Sequence, residues 1–367
     1  MQDVRFGFQA AAADVAGVSD QQLYSDLMSD CALGHRLGYD AAWLLEHHFS
    51  DYYPTPSPLL MMAHIAAKFP DLSLGTSVLV LPWYHPLRLA EEIAMLNSLT
   101  QGTLHLGIGR GTARMEYDAY NIDMNEGRAR FAEVFRIVEQ GLSGKPFTHR
   151  GQFWNIEQPI RIRPAPVDKT VHFYGAIGSP ASAEVMGDLG IPPICLSTFP
   201  DGLLVKILDR WRGRVGARAD GAILPISVKL FIADTDEEAR EMGRRYYPPY
   251  FALQADHYEA DANPWVGIPE YADFSRMFAN LRKMTDPAEL GPFLDSNLVG
   301  SPATICKRID ALVALGFNYF MVSSATPGTP LAVRQKMMTR FAEEICPLYS
   351  GAMRKGKDKD KDKGKAA

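Results

Sequence analysis

The chain has 367 residues, 47% hydrophobic and 22% charged, a composition that buries a sizeable core and excludes a fully disordered protein. Its formal net charge is −5, but residues 354–367 carry seven Lys or Arg and three Asp, so the 353 residues before them carry −9. An acidic body with no Lys/Arg block outside that segment excludes recognition of nucleic acid through a basic stripe.

The alternating Lys and Asp near the end have no apolar face to bury, which predicts a solvated, disordered tail over 351–367. Cys31, Cys195, Cys306 and Cys346 lie far apart without a C-x-x-C spacing, so the sequence suggests neither a zinc cluster nor a disulfide framework, and reduced cytoplasmic thiols fit best. No apolar run reaches the ~18 residues of a membrane span, and no basic segment leads into an apolar one as in a secretion signal. The expectation is a soluble, cytoplasmic protein without membrane or nucleic-acid partners.

In chain order, the first strand is predicted over 4–8 and a helix over 19–37, with Ser19 or Asp20 as N-cap and Gly38 as its stop. A strand over 41–45 follows, then a break at Pro54, Pro56 and Pro58, a helix over 59–68 and a long buried strand over 72–81 ended by Pro82. A helix over 87–99, a strand over 104–108 and a helix over 126–140 continue the alternation. Residues 146–170 read as an irregular excursion with a hairpin flavour. Strands over 171–176, 194–197, 223–232 and 319–322, each followed by a helical pattern, bring the count to eight. Eight unbroken strand–helix units favour a closed parallel (β/α) barrel of TIM type over an open doubly wound sheet, as a single domain over 1–350. Residues 246–291, rich in Tyr, Pro and Trp, are too long for an ordinary connection. They read as a lid or substrate wall, or as a dimer contact or plain insertion.

A barrel builds its active site at the C-terminal ends of its strands. Four such ends carry chemistry: Glu46-His47-His48, the run from Leu81 through Trp83, Tyr84 and His85 to Pro86, Gly107-Ile108-Gly109-Arg110-Gly111, and Gly178-Ser179-Pro180-Ala181-Ser182. Adjacent strand residues face opposite ways, so His47 and His48 do not both face one ion, and no H-x-H, H-E-x-x-H or carboxylate cluster in the sequence supplies further ligands. No metal site is expected. One of the pair is predicted to handle a proton near neutral pH, against the alternative of a hydrogen-bonded core histidine.

The glycines around Arg110 lack the register of a dinucleotide fingerprint, but they let a flat ring or phosphate approach the backbone, with Arg110 as an anion clamp or, alternatively, a surface ion pair. Ser179-Pro180 starts a helix directly after a strand. Its free N–H groups and the hydroxyls of Ser179 and Ser182 make a phosphate cradle. The same pattern recurs at Gly300-Ser301-Pro302-Ala303-Thr304, and the first copy is preferred because its strand is adjacent.

Taken together, Trp43-Leu44-Leu45-Glu46-His47-His48-Phe49, Gly75 through Pro82 with His85-Pro86, Gly107 through Gly111, and Leu298-Val299-Gly300-Ser301-Pro302 at a late helix start resemble the bacterial luciferase-like flavin monooxygenases, in the right order over most of residues 1–345. The resemblance implies an eight-stranded α/β barrel, usually dimeric, that binds FMN. By the same resemblance, His47 is similar to the family's catalytic histidine, Arg110 to its phosphate-binding arginine, and Ser179 and Ser182 to its phosphate-contacting residues. Ser77-Val78 matches a non-proline cis peptide under the flavin ring. Gly109 stands where the luciferases carry a reactive cysteine, and Gly178 replaces an acidic residue, which puts light emission and long-chain aldehyde specificity in doubt.

The resemblance implies a two-component monooxygenase that takes reduced FMN from a separate reductase and oxygenates a small organic substrate with O₂. A deazaflavin-dependent oxidoreductase on the same barrel and a non-catalytic flavin-binding protein are the alternatives. Trp83, Tyr84, Tyr250, Trp265 and Tyr271 suggest an apolar or ring-bearing substrate, and aromatics at such places serve packing as often.

Overall fold

The computed structural model describes residues 4–13, 16–167 and 171–349. The predicted tail over 351–367 lies outside them. In chain order the strands are β1 (Arg5–Gln9), β2 (Ala41–Leu44), β3 (Ser73–Val80), β4 (Leu104–Gly109), β5 (Phe147–Arg150), β6 (Asn155–Ile160), β7 (Val171–Ala176), β8 (Pro193–Leu196), β9 (Pro225–Ile232), β10 (Leu298–Gly300) and β11 (Tyr319–Ser323). Neighbours follow the order β9-β11-β1-β2-β3-β4-β7-β8, and β8 pairs with β9 again, which closes the ring. The chain thus folds as a closed eight-stranded parallel barrel with surrounding helices, of TIM type.

All eight predicted strands form, with ends displaced by a residue or two. The 146–170 excursion contains the antiparallel pair β5–β6, in which Phe147 faces Ile160 and Arg150 faces Asn155. β10 was not predicted. A three-residue run that leads at once into a Ser-Pro helix start carries too little alternation to read as a strand, yet Leu298 through Gly300 pair in parallel with Leu230 through Ile232.

The residues form two compact units, one comprising the chain up to Trp43, Ser179–Phe251 and the part from Lys283 on, the other Leu44–Gly178 and Ala252–Arg282. In the first, β1 pairs with β11 from Arg5↔Tyr319 to Phe8↔Val322, and β11 with β9 from Tyr319↔Pro225 to Ser323↔Lys229. β11 is buried throughout and β1 at all but its first residue, as expected of parallel strands covered on two faces. Phe6 packs on Phe320 and edge-on against Phe341, and Trp43 meets Tyr319 edge-on. The helix Asp20–Leu37 starts where Ser19 accepts the Gln22 N–H and stops at Gly38, whose φ of 79° is left-handed.

In the second unit β4 is flanked by β3 and β7, with Leu104 level with Leu74 and Val171. The β3–β4 register slips between Thr76 and Leu79, and the Ser77–Val78 peptide inside the slip is cis. The helix predicted over 126–140 runs Gly127–Leu142 and buries Phe131, Val134, Phe135, Ile137 and Val138. The 246–291 stretch is less irregular than its prolines suggest: the helix Asp236–His257 continues through Pro248 and Pro249, and a further helix spans Ala272–Phe278.

A buried ion pair ties helices of the first unit together. Arg334 Nε lies 2.7 Å from Asp30 Oδ2, with side chains 1% exposed, and Gln335 donates to the other Asp30 oxygen at 3.0 Å. Burial nevertheless lifts the Asp30 carboxyl to about 6. Because this value lies above the ~3.9 of an unfolded chain, the folded state binds the extra proton, and this contribution to stability is lost as pH rises through about 6. Arg334→Met is therefore expected to lower the unfolding free energy in urea by about 3–5 kcal/mol at neutral pH, where it strands a buried carboxylate. The loss should shrink below about pH 5, where that carboxylate is protonated.

Candidate active site

Past the end of β2 the two histidines part, as the alternation of side chains requires. His48 turns into a closed polar cluster: its Nε2 is 3.1 Å from Glu46 Oε1 and its Nδ1 is 2.9 Å from the Tyr120 hydroxyl. The second Glu46 oxygen accepts the Val80 N–H at 2.9 Å and the Tyr84 hydroxyl at 3.1 Å. Burial raises the Glu46 carboxyl, against the pull of these donors. Both His48 nitrogens are engaged, so it is the core histidine of the pair, and Tyr84 serves the same network.

His47 turns the other way, into a cage of rings. Its centroid is 4.7 Å from Tyr52, 6.4 Å from Tyr53, 4.8 Å from His257 and 6.3 Å from Tyr258. Burial first, and then the nearby His257 and His48 rings, hold the His47 imidazole well below its usual range, so it is neutral at pH 7.

Two residues that the sequence did not single out complete this group. Glu116, in the first turn of the helix Arg114–Ala119, places Oε1 4.0 Å from His47 Nδ1 and 3.5 Å from His257 Nε2, and accepts the His48 N–H at 2.9 Å. His257 ends the helix Asp236–His257, with Nδ1 2.7 Å from the Ser50 hydroxyl. Desolvation lifts Glu116 to about 7 and lowers His257 to about 4. The three donor atoms lie within 4.8 Å of one another. This convergence shows what the expectation of no metal site left out, since ligands from distant segments leave no spacing motif. Tetrahedral zinc would draw such atoms to roughly 3.3 Å apart, so the group is spread more widely than a closed metal site.

Arg110, just past β4, is held by the second half of the 246–291 stretch. Its guanidinium donates to Glu270 Oε2 at 3.0 Å and to the Glu270 carbonyl at 2.6 Å, and lies 4.0 Å over the Tyr271 ring. Arg128 shares the same Glu270 oxygen at 3.0 Å, so two guanidinium groups face one carboxylate. Trp265 donates to the Thr112 carbonyl at 2.7 Å and Tyr271 to that of Gly111 at 3.2 Å, which fastens the stretch to the loop after β4. Trp265 and Tyr271 pack with Tyr117, Met124 and Ile268. They hold that loop, so packing accounts for both.

Gly109 has a local reason to be glycine: a Cβ there would lie 2.8 Å from Val78 Cγ2. Gly178 faces Phe274, whose ring also lies 5.9 Å from the Arg110 guanidinium. In the other unit, Ser179 caps the helix Pro180–Asp188, accepting the Ser182 N–H at 3.3 Å, with the two hydroxyls 3.1 Å apart. The matching start at Ser301 is already filled by a carboxylate. Asp236 takes the Ser301 N–H at 2.7 Å and the Thr304 hydroxyl at 2.9 Å. Of the two repeated patterns, the second is thus a protein–protein cap. Lys229, also in that unit, donates to Gln9 and Ser323 at 3.4 and 3.3 Å and lies 4.8 Å from the centre of the Tyr250 ring, and desolvation lowers its amine to about 7. It was not singled out because one lysine inside an apolar strand carries no spacing signal.

A parallel barrel with a half-buried, uncharged imidazole beyond the end of one strand defines an enzyme of the α/β-barrel class. The chain belongs to the luciferase-like monooxygenases, whose family model matches residues 5–319, and it is an oxidoreductase. It is 35% identical over 349 residues, 91% of this chain and 93% of the other, to the oxygenase component of flavin-dependent trigonelline monooxygenase from Acinetobacter baylyi. Another match is shorter: 38% identity with an uncharacterized protein of Sinorhizobium fredii, over 39% of that protein's length. The fold is shared with monooxygenase RslO1 from Streptomyces bottropensis, with a TM-score of 0.79 at 23% identity, covering 94% of this chain and 100% of that one. It is also shared with the oxygenating constituent of 3,6-diketocamphane monooxygenase from Pseudomonas putida in complex with FMN, with a TM-score of 0.72 at 19% identity, covering 94% and 98%. Among the described residues no helix is long and apolar enough to cross a membrane.

The Val78 contact makes Gly109 testable without any ligand. Gly109→Ala is expected to cost about 1–3 kcal/mol in urea unfolding, because the stiff Val78 side chain or the β4 backbone has to move. Gly213→Ala, where nothing lies within 4 Å of the added carbon, should be neutral or slightly stabilising.

Proposed function

We propose that this chain is the oxygenating component of a two-component FMN monooxygenase. A separate cytoplasmic reductase delivers reduced FMN, and the barrel uses it with O₂ to oxygenate a small organic substrate. The observation that carries this reading is the neutral imidazole of His47, sunk among Tyr52, Tyr53, His257 and Tyr258 in a chain that resembles an oxygenase component over nearly its whole length.

Reduced FMN, when bound, supplies the two electrons that activate oxygen, and the protein supplies binding, orientation and proton handling. His47 would hold or move a proton at a ring nitrogen while the surrounding rings keep water out. Arg110 would take an anion. It and Arg128 share the single Glu270 carboxylate, which leaves one positive charge for a phosphate. Ser77, Val78 and Gly109 would border the flavin ring, Gly109 because it adds no side chain beside Val78, and Gly178 would leave the Phe274 face clear. The Ser179 helix start, with Ser182, is a second candidate for phosphate, on its own N–H groups.

In this reading residues 1–350 act as one barrel domain, with 246–291 as a substrate wall anchored at Arg110. A homodimer is favoured by exposed Leu60, Met95 and Leu99, on the helices Pro58–Lys68 and Pro86–Leu99 of one unit.

Anaerobic titration with reduced FMN tests the anion clamp. Arg110→Ala is expected to weaken binding roughly ten- to hundredfold, the worth of a charge-assisted hydrogen bond, while Ser301→Ala changes nothing. His47→Ala should still bind FMN yet lose about 10²-fold in coupled product formation. Turnover with a reduced deazaflavin and none with reduced FMN and air would contradict the proposal, as would unchanged product formation by His47→Ala.

A further inference from the structure

We propose that Glu116 and His257 are positioning residues for His47, holding with it a single shared proton whose resting place is the Glu116 carboxyl. This deepens the reading of His47 as the proton-handling group and rests on it.

Three separate segments bring the groups together: the stretch after β2, the helix Arg114–Ala119 and the end of the helix Asp236–His257. Glu116 is 2% exposed and His257 1%. In such surroundings a lone carboxylate beside two neutral rings is costly, and the state with one added proton carries no net charge.

The ring of His257 is oriented for this. Its Nδ1 meets the Ser50 hydroxyl, which also accepts the Tyr52 N–H at 3.3 Å, and this aims Nε2 at Glu116 Oε1. That Nε2 is a buried nitrogen with no hydrogen-bond partner among the described residues, and a proton on the facing carboxyl supplies one. The 4.0 Å from Oε1 to His47 Nδ1 closes to hydrogen-bond length with a movement of about 1 Å.

Burial raises the Glu116 carboxyl, while the groups around the cluster pull both ways. The His48 N–H, donating to Oε1, and the His48 ring oppose the added proton, Glu46 behind His48 favours it, Tyr120 is committed to His48, and Tyr52, Tyr53 and Tyr258 ring His47. The upward displacement of Glu116 and the downward ones of His257 and His47 place the proton on the carboxyl.

The transfer balances without a further reactant. When a ring N–H of His47 is given to a bound acceptor, that N–H bond breaks and an acceptor–H bond forms. The other ring nitrogen takes the Glu116 proton, and the carboxyl O–H bond breaks. His47 ends neutral, and the carboxylate holds the one charge until solvent returns a proton.

Infrared difference spectra of the flavin-free full chain test this directly. The expected result is a carboxylic-acid C=O band at about pH 6 that fades with a midpoint near 7 and is missing from Glu116→Gln. Glutamine keeps an oxygen that accepts the His48 N–H. Should that variant fail to fold, His257→Asn serves instead and is expected to shift the band and its midpoint. In turnover, Glu116→Gln should bind reduced FMN as before, lose about 10²-fold in product formation and lose the pH dependence around neutrality. No such band in the wild type, or a band that survives Glu116→Gln, overturns the inference. FMN binding without the band removes this inference alone, whereas the band without FMN binding upholds it and removes the flavin reading.

Discussion

Two imidazoles and a carboxyl, drawn together where water is scarce, cannot all take the charge states they hold in solution, and the candidate site depends on how that conflict is resolved. Desolvation moves Glu116 up to about 7 and His47 and His257 down, so the two rings are uncharged at physiological pH while the carboxyl titrates there. An imidazole that stays uncharged both accepts and donates a proton. A permanently protonated one would only donate. In the proposed reading, the burial that makes the residues costly to fold is what equips His47 for chemistry.

That arrangement needs rigid support, and it comes from ordinary fold physics. The Glu46 carboxyl meets His48, Val80 and Tyr84 and ties the strand end from which the two histidines diverge to the end of β3. The aromatic stretch around Trp265 and Tyr271 is stitched by indole and phenol donors to the carbonyls of Gly111 and Thr112, and carries Glu270 to Arg110. Any motion of this segment has to break these hydrogen bonds first.

The barrel was legible because its signals are local: β-rich runs, Ser19 as cap, Gly38 as stop, and prolines that end elements. That the two adjacent histidines part, one into the polar cluster and one into the ring of aromatics, was legible from the alternation of side chains. What stayed hidden is non-local. Glu116 sits in a short helix with no motif, and His257 lies at the end of a helix whose two prolines disguise it as irregular chain. The repeated Gly-Ser-Pro pattern could not be resolved from sequence either, because the carboxylate that fills the second copy comes from Asp236, sixty-five residues before Ser301.

The measurement that bears most directly on the account is rapid mixing of the reduced-FMN complex with oxygenated buffer, followed by absorbance. The account predicts a transient species distinct from both reduced and oxidised FMN, longer-lived in the protein than in free solution and shortened in His47→Ala. Reoxidation at the rate of free flavin, with no such species, would contradict it.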